Sequence, residues 1–205
     1  MNRSSRRARL IPVSSPTTTF IAVYCGSSSG HFPEFGAAAH ALGTGLAAPD
    51  LGMVYGGGSV GLMGTVADAC LDAGGRVHGV ITQSLLDKEV GHLGLSNLDV
   101  VTTMHQRKAR MEVLARGFVA MPGGFGTWEE LCEVVTAAQL GHHTKPIVLL
   151  DVRHYWDPFM AFIDGAVDTG FIPESHRTLV RRSSNVDEVL ELLRAPAPTL
   201  SPKWV

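Results

Sequence analysis

A chain of 205 residues, 45% hydrophobic and 18% charged, can bury a core without disulfides or metal and is too apolar to stay disordered. Its formal net charge of −2 excludes the strongly basic surface that nucleic acid or an anionic membrane would attract. No apolar run approaches the roughly 18–20 residues that span a bilayer. The three cysteines, Cys25, Cys70 and Cys132, are odd in number and far apart, which suits a reducing, cytoplasmic compartment rather than a disulfide framework.

Residues 1–19 carry Arg3, Arg6, Arg7 and Arg9, several Ser and Thr, and no acid. They read as a solvated tail ahead of a single domain spanning residues 20–194, and the Pro-containing stretch 195–205 reads as a second tail. Within the domain, apolar runs predict strands at Phe20–Tyr24, Met53–Tyr55, Arg76–Ile81, Leu98–Thr102, Phe118–Met121 and Pro146–Leu150. Helical spacing predicts helices at Phe35–Leu46, Val66–Leu71, Met104–Arg116, Leu131–Leu140, Phe159–Val167 and Val186–Leu193, the second stopping at Gly74-Gly75. Short, continuously apolar strands alternating with helices imply a mostly parallel sheet covered on both faces, a single Rossmann-like α/β domain.

Ligands of such sheets sit outside the carboxyl ends of the strands. Three strands end in small-residue turns that feed helices: Cys25-Gly26-Ser27, Gly56-Gly57-Gly58 and Pro122-Gly123-Gly124. The third continues as Phe125-Gly126-Thr127-Trp128-Glu129-Glu130. A glycine turn entering a helix offers free backbone N–H groups and a positive helix end, hence an anion site. Thr127 can cap that helix, and Thr127-x-x-Glu130 then reads as a capping box. Glu130 also borders the apolar face made by Leu131, Val134, Val135 and Ala138, so capping and catalysis compete as its role.

The turn Gly56-x-Gly58-x-x-Gly61 matches a dinucleotide fingerprint, but the acid expected on the next strand is missing, with Ile81-Thr82-Gln83-Ser84 in its place. Neither glycine turn carries the Gly-Lys-Ser/Thr of a Walker loop. A mononucleotide held between two loops, with Ser27, Gly57, Gly58, Met63, Gly64 and Gly123 among the contacts, fits better. On the helix opened by Met104-His105-Gln106, Arg107 shares a face with Met111 and Leu114. An inward arginine must be paired or bind a ligand. Lys108 and Arg110 lie off that stripe, where solvent is the ordinary expectation. The histidines form no metal-binding pattern, no serine-hydrolase elbow occurs, and no cofactor is implied. The aromatic group Tyr155, Trp156, Phe159 and Phe162 could form a base-stacking platform, but reads better as packing for a helix or a subunit contact.

Tyr55-Gly-Gly-Gly-Ser-Val-Gly-Leu-Met-Gly64, Met104-His-Gln-Arg-Lys108 and Pro122-Gly-Gly-Phe-Gly-Thr-Trp-Glu-Glu130 together resemble the LONELY GUY (LOG) family of cytokinin riboside 5′-monophosphate phosphoribohydrolases, often mislabelled lysine decarboxylases. The resemblance runs from about Phe20 to Leu193. It implies a homodimer that hydrolyses the N-glycosidic bond of an adenine-type nucleoside 5′-monophosphate to free base and ribose 5-phosphate, without a cofactor. It implies Arg107 and Glu130 as the catalytic pair, and Lys108, Gly124, Phe125, Gly126, Thr127 and Thr136 as nucleotide contacts. Glu89, which spacing leaves unmarked, matches a substrate-binding acid. Departures at Thr82-Gln83, Trp128 and His142-His143-Thr144 bear on base preference. The rival readings are a general AMP or purine nucleotide nucleosidase, and a non-catalytic nucleotide or cofactor carrier on the same fold.

Overall fold

A computed structural model of the chain describes residues 19–88, 91, 92 and 94–197. Seven strands form one sheet: β1 (Thr19–Tyr24), β2 (Leu51–Tyr55), β3 (Val77–Thr82), β4 (Asn97–Val101), β5 (Ala115–Ala120), β6 (Ile147–Leu150) and β7 (Val180–Ser183). Their order is β4-β3-β2-β1-β5-β6-β7, and all six pairings are parallel. The helices are α1 (Pro33–Leu46), α2 (Gly61–Asp72), α3 (Gln83–Leu86), α4 (Met104–Leu114), α5 (Phe125–Gln139), α6 (Asp157–Asp168) and α7 (Val186–Arg194), with a 3-10 turn at Glu174–Leu179. This is the doubly wound Rossmann-like architecture that the apolar strands imply.

Alternation along β1 shows how the sheet serves two cores. Ile21 and Val23 join α1, α2 and α7 in one buried cluster, which includes Leu42, Val66 and Val189. Ala22 and Tyr24 join α4, α5 and α6 in the other, with Met111, Leu131 and Met160. Successive side chains of a strand point to opposite faces, so a strand apolar at every position is buried twice.

The chain steps outward from β1 to β4, then returns to lay β5 on the other side of β1 and continues to β7. The order reverses between β1 and β5, and the crevice beyond their carboxyl ends is the expected ligand site. Their turns are tied together there: Gly26 N–H donates to the Pro122 carbonyl at 3.1 Å, and Leu62 N–H donates to the Gly26 carbonyl at 3.1 Å. Gly61 sits at φ +60, and a Cβ there would lie 2.3 Å from the Ser27 carbonyl carbon. Glycine is therefore required where α2 begins against the first turn.

Several elements differ from the sequence-based expectation: α2 and α5 begin earlier, at Gly61 and Phe125, and α3 and the 3-10 turn were not expected. Thr19 belongs to β1, not to the tail. Helix α4 stops at Leu114, because Ala115 already pairs with Phe20 of β1, while Lys145 Nζ donates to the Glu112 carbonyl at 2.7 Å and closes the helix end. Strand β7 went unread because only Val180 and Ser183 of it are buried; it is an edge strand whose Arg181 reaches the Leu192 carbonyl at 2.7 Å. The α5 capping box is absent: Gly124 is the N-cap, with no side-chain cap bond. The box occurs instead on α4, where Thr103 and Gln106 exchange bonds. The tails at residues 1–18 and 198–205 lie outside the described residues, as does Glu89.

Helices α1 and α2 meet through Gly43, where an added Cβ would stand 2.3 Å from the Val66 carbonyl oxygen. Backbone cannot give way as a flexible side chain does, so overpacking follows. Gly43→Ala is expected to destabilise the chain by about 1–3 kcal/mol in urea unfolding; an unchanged midpoint would show that the two helices separate freely.

Candidate active site

Helix α4 crosses the second face of the sheet and delivers Arg107 to the switch-point crevice. Met111, one turn along, is buried with it, as the shared apolar face requires. Arg107 Nε–H donates to the Val80 carbonyl at 3.0 Å. Its Nη1 lies 3.6 Å from Glu130 Oε1, with the two side chains only 10% and 12% exposed. Gly56 makes this path possible, because a Cβ there would fall 1.8 Å from Arg107 Nη2. The glycine turn after β2 therefore serves the arginine.

Helix α5 delivers Glu130 from the opposite wall. The turn before it holds its carbonyls away from the crevice: Pro122 accepts from Gly26, Gly123 from the Tyr155 hydroxyl, and Gly124 from Trp128 N–H. The first amides of a helix have no acceptor within it, and none is supplied here by a capping side chain. Phe125, Gly126 and Thr127 thus face the crevice with unused donors at a positive helix end. A Cβ on Gly123 would lie 2.1 Å from Thr127 Oγ1, so the buried threonine folds back onto the turn rather than capping the helix.

These elements enclose a cavity of about 290 Å³ lined by Cys25, Gly26, Ser27, Met63, Leu85, Arg107, Gly124, Phe125, Gly126, Thr127 and Glu130. A donor-rich turn stands at one end, with a paired carboxylate and guanidinium between apolar walls. Burial raises the Glu130 carboxyl from the usual 4.5 to about 7, outweighing the opposing pull of Arg107. Burial likewise pushes the Cys25 thiol well up, leaving it protonated at neutral pH and unsuited to attack.

The sequence-predicted residues divide three ways. Ser27, Met63, Arg107, Gly124, Phe125, Gly126, Thr127 and Glu130 meet in the cavity. Gly123 lines the adjoining cavity of about 260 Å³, together with Gly26, Ser27 and Tyr155. Gly57, Gly58 and Gly64 line neither: Gly57 takes φ +76 beside Ile81 and Leu98, Gly58 bridges Gly91, and Gly64 lies against Ser59. Thr136 is also apart, its hydroxyl donating to the Cys132 carbonyl at 2.7 Å in a separate groove beside α6. Lys108 corrects the expectation of a solvated side chain, since its ammonium is bound by Glu129 and, at 3.1 Å, by Glu133. Glu129 is the outward carboxylate of the pair, more than half exposed.

Leu85 and Tyr155 were missed. Leu85 follows the carboxyl end of β3 on the four-residue α3, started by Thr82 Oγ1 accepting from Leu85 N–H. A Leu-Leu pair so close to a strand end was the available signal. Tyr155 reads from sequence only as packing within its aromatic group, because its turn is remote from the site in the chain.

A family model described as "Possible lysine decarboxylase" matches residues 63–193. The cytokinin riboside 5′-monophosphate phosphoribohydrolase LOG2 of Arabidopsis thaliana is 45% identical over 178 residues, 87% of this chain and 84% of its own. A phosphoribohydrolase of the same description from Rhodococcoides fascians is 43% identical over 182 residues, 88% and 92% of the two chains. Among solved structures, the molybdenum cofactor carrier protein of Chlamydomonas reinhardtii superposes with a TM-score of 0.66 at 21% identity, covering 87% of this chain and all of that one. That likeness shows the shared fold alone.

The raised Glu130 carboxyl has a measurable consequence. Its folded pKa of about 7 lies above the usual 4.5, so the folded chain keeps a proton that the unfolded chain releases. The stabilisation is full below about pH 4.5 and is lost as pH rises through about 7. Melting temperatures of the wild type relative to Glu130→Gln are expected to fall across that window. Parallel profiles would contradict the raised value.

Proposed function

The chain belongs to the LONELY GUY family of cytokinin riboside 5′-monophosphate phosphoribohydrolases, and from that premise we propose how it cleaves such nucleotides. The reaction hydrolyses the N-glycosidic bond of an adenine-type nucleoside 5′-monophosphate, giving free base and ribose 5-phosphate. The single observation that carries the residue assignment is the buried Arg107–Glu130 pair, 3.6 Å apart, beside an uncapped helix N-terminus. The 5′-phosphate rests on the amides of Phe125, Gly126 and Thr127, where free donors and the helix end favour an anion. The ribose then lies over Glu130.

Breaking the bond to the base builds positive charge on the ribose ring. The Glu130 carboxylate stabilises that charge and draws a proton from the attacking water. Arg107, anchored by the Val80 carbonyl, favours the ionised carboxylate and holds it on the ribose side of the cavity. The hydroxyl of that water ends on C1′, and the electrons of the broken bond leave with the base. The base takes a proton from solvent, and Glu130 releases to solvent the one it drew from the water. Met63 and Leu85 supply apolar wall suited to an adenine-type base. Binding energy from the remote phosphate orients the sugar, so its loss costs turnover as well as affinity.

We also propose a homodimer in a cytoplasmic, reducing compartment. Phe125, Trp128 and Phe162 leave large apolar surface exposed along α5 and α6, as an interface would use. The three cysteines of the chain are free. Sedimentation should give twice the chain mass; a monomer at micromolar concentration would overturn the dimer.

Isopentenyladenosine monophosphate, AMP and their dephosphorylated nucleosides, followed by chromatography, test the substrate class. The monophosphates should release base and the nucleosides far less; release from AMP alone would favour the general nucleosidase. Glu130→Gln should lower kcat by about 100-fold or more while nucleotide still binds. Because the reacting form is the carboxylate, kcat/KM should rise with pH through about 7. A rise centred near 6 would report the substrate's own phosphate instead.

A further inference from the structure

The loop after β6 carries an arrangement that the catalytic pair does not account for. Arg153 and His154 are consecutive non-glycine residues at φ 56 and φ 60, in the left-handed region that L side chains rarely adopt. Such a conformation persists only where its surroundings hold it. Arg153 Nη1 pairs with Glu34 at 2.7 Å, and its guanidinium lies 4.1 Å from the centre of the Phe32 ring. His154 Nδ1 lies 3.3 Å from Asp157 Oδ2.

The side chain delivered by this strained pair is Tyr155. Its hydroxyl donates to the Gly123 carbonyl and accepts from Trp128 Nε1–H at 3.1 Å. An indole N–H can only donate, so the direction of the relay is fixed: Trp128 donates to Tyr155, and Tyr155 donates to Gly123. The tyrosine ring is braced edge-on by Phe35 and Trp156, at 6.4 and 5.1 Å between centres. Trp128 is braced by Phe125 at 5.2 Å.

Gly123 is the one carbonyl of the turn whose acceptor role depends on a distant side chain. Those of Pro122 and Gly124 are held by backbone N–H groups. Rotation of the peptide between Gly123 and Gly124 would swing that carbonyl, an acceptor, toward the position an anion must occupy. We propose that Tyr155 is a positioning residue for the phosphate-binding turn, pinning the Gly123 carbonyl outward so that the following amides present only donors to the 5′-phosphate, with Trp128 fixing the phenol's orientation. The inference rests on the reading above in placing the phosphate at this turn.

Titration calorimetry with inorganic phosphate and ribose 5-phosphate separates the two. Wild-type protein should bind both, and Tyr155→Phe should bind each roughly threefold to tenfold more weakly, the worth of one hydrogen bond. Trp128→Phe should shift binding in the same direction by less. In turnover, Tyr155→Phe should raise KM for the nucleoside monophosphate more than it lowers kcat, and leave the residual rate on the nucleoside unchanged. A general loss of structure would depress both substrates together. Equal phosphate binding by wild type and Tyr155→Phe would overturn the relay while leaving the phosphate site standing. Failure of the wild type to bind phosphate would overturn both.

Discussion

A charge carried into the interior constrains everything around it. Arg107 is buried, and a buried guanidinium must be paired and bonded or it costs more than the fold can bear. The structure meets that demand with one carbonyl from β3 and one carboxylate from α5, which fixes the approach of two helices on the same face of the sheet. Gly56 leaves room for the guanidinium where it lies, since a Cβ there would displace it. The partner, Glu130, then sits in surroundings dry enough to raise its carboxyl to about 7. In the proposed mechanism structural need and chemical use coincide, since a base is most useful when its pKa lies near the working pH.

The pair gains its meaning from topology. Where the strand order reverses between β1 and β5, two turns joined by the Gly26 N–H to Pro122 carbonyl bond border a crevice that neither strand fills. One wall is the turn whose three carbonyls are all engaged, leaving amides to meet an anion. The carboxylate follows on the helix that this turn enters and meets Arg107 of α4 across the crevice. In the proposed mechanism a phosphate at the first position places a sugar near the second, so the same helix serves recognition and reaction.

Much of this was legible in the chain itself. Continuous apolar strands gave the doubly covered sheet, and the inward position of Arg107 followed from its spacing to Met111. Glu130 was harder. Spacing from Thr127 suggested a capping box, but the helix begins two residues before Thr127, at Phe125, because Gly123 and Gly124 let the chain turn early. Of the glycines after β2 expected as ligand contacts, Gly57 packs against Ile81 and Leu98, and Gly64 against the Ser59 backbone. Sequence shows that a glycine is needed, but not what approaches it. Strand β7 lay hidden because an edge strand with outward arginines has no apolar run to read. Tyr155 stood out only as one of an aromatic group, since its bond to the Gly123 carbonyl spans 32 residues of chain.

The central claim is that the buried pair hydrolyses the bond between base and sugar. Reaction of the wild-type protein with isopentenyladenosine monophosphate in ¹⁸O-labelled water, followed by mass spectrometry with prompt reduction of the sugar product, tests it most directly. Free base should appear together with ribose 5-phosphate carrying one ¹⁸O at C1, and Glu130→Gln should form neither at a comparable rate. Nucleotide recovered intact from the wild type, or label found in the phosphate rather than at C1, would contradict it.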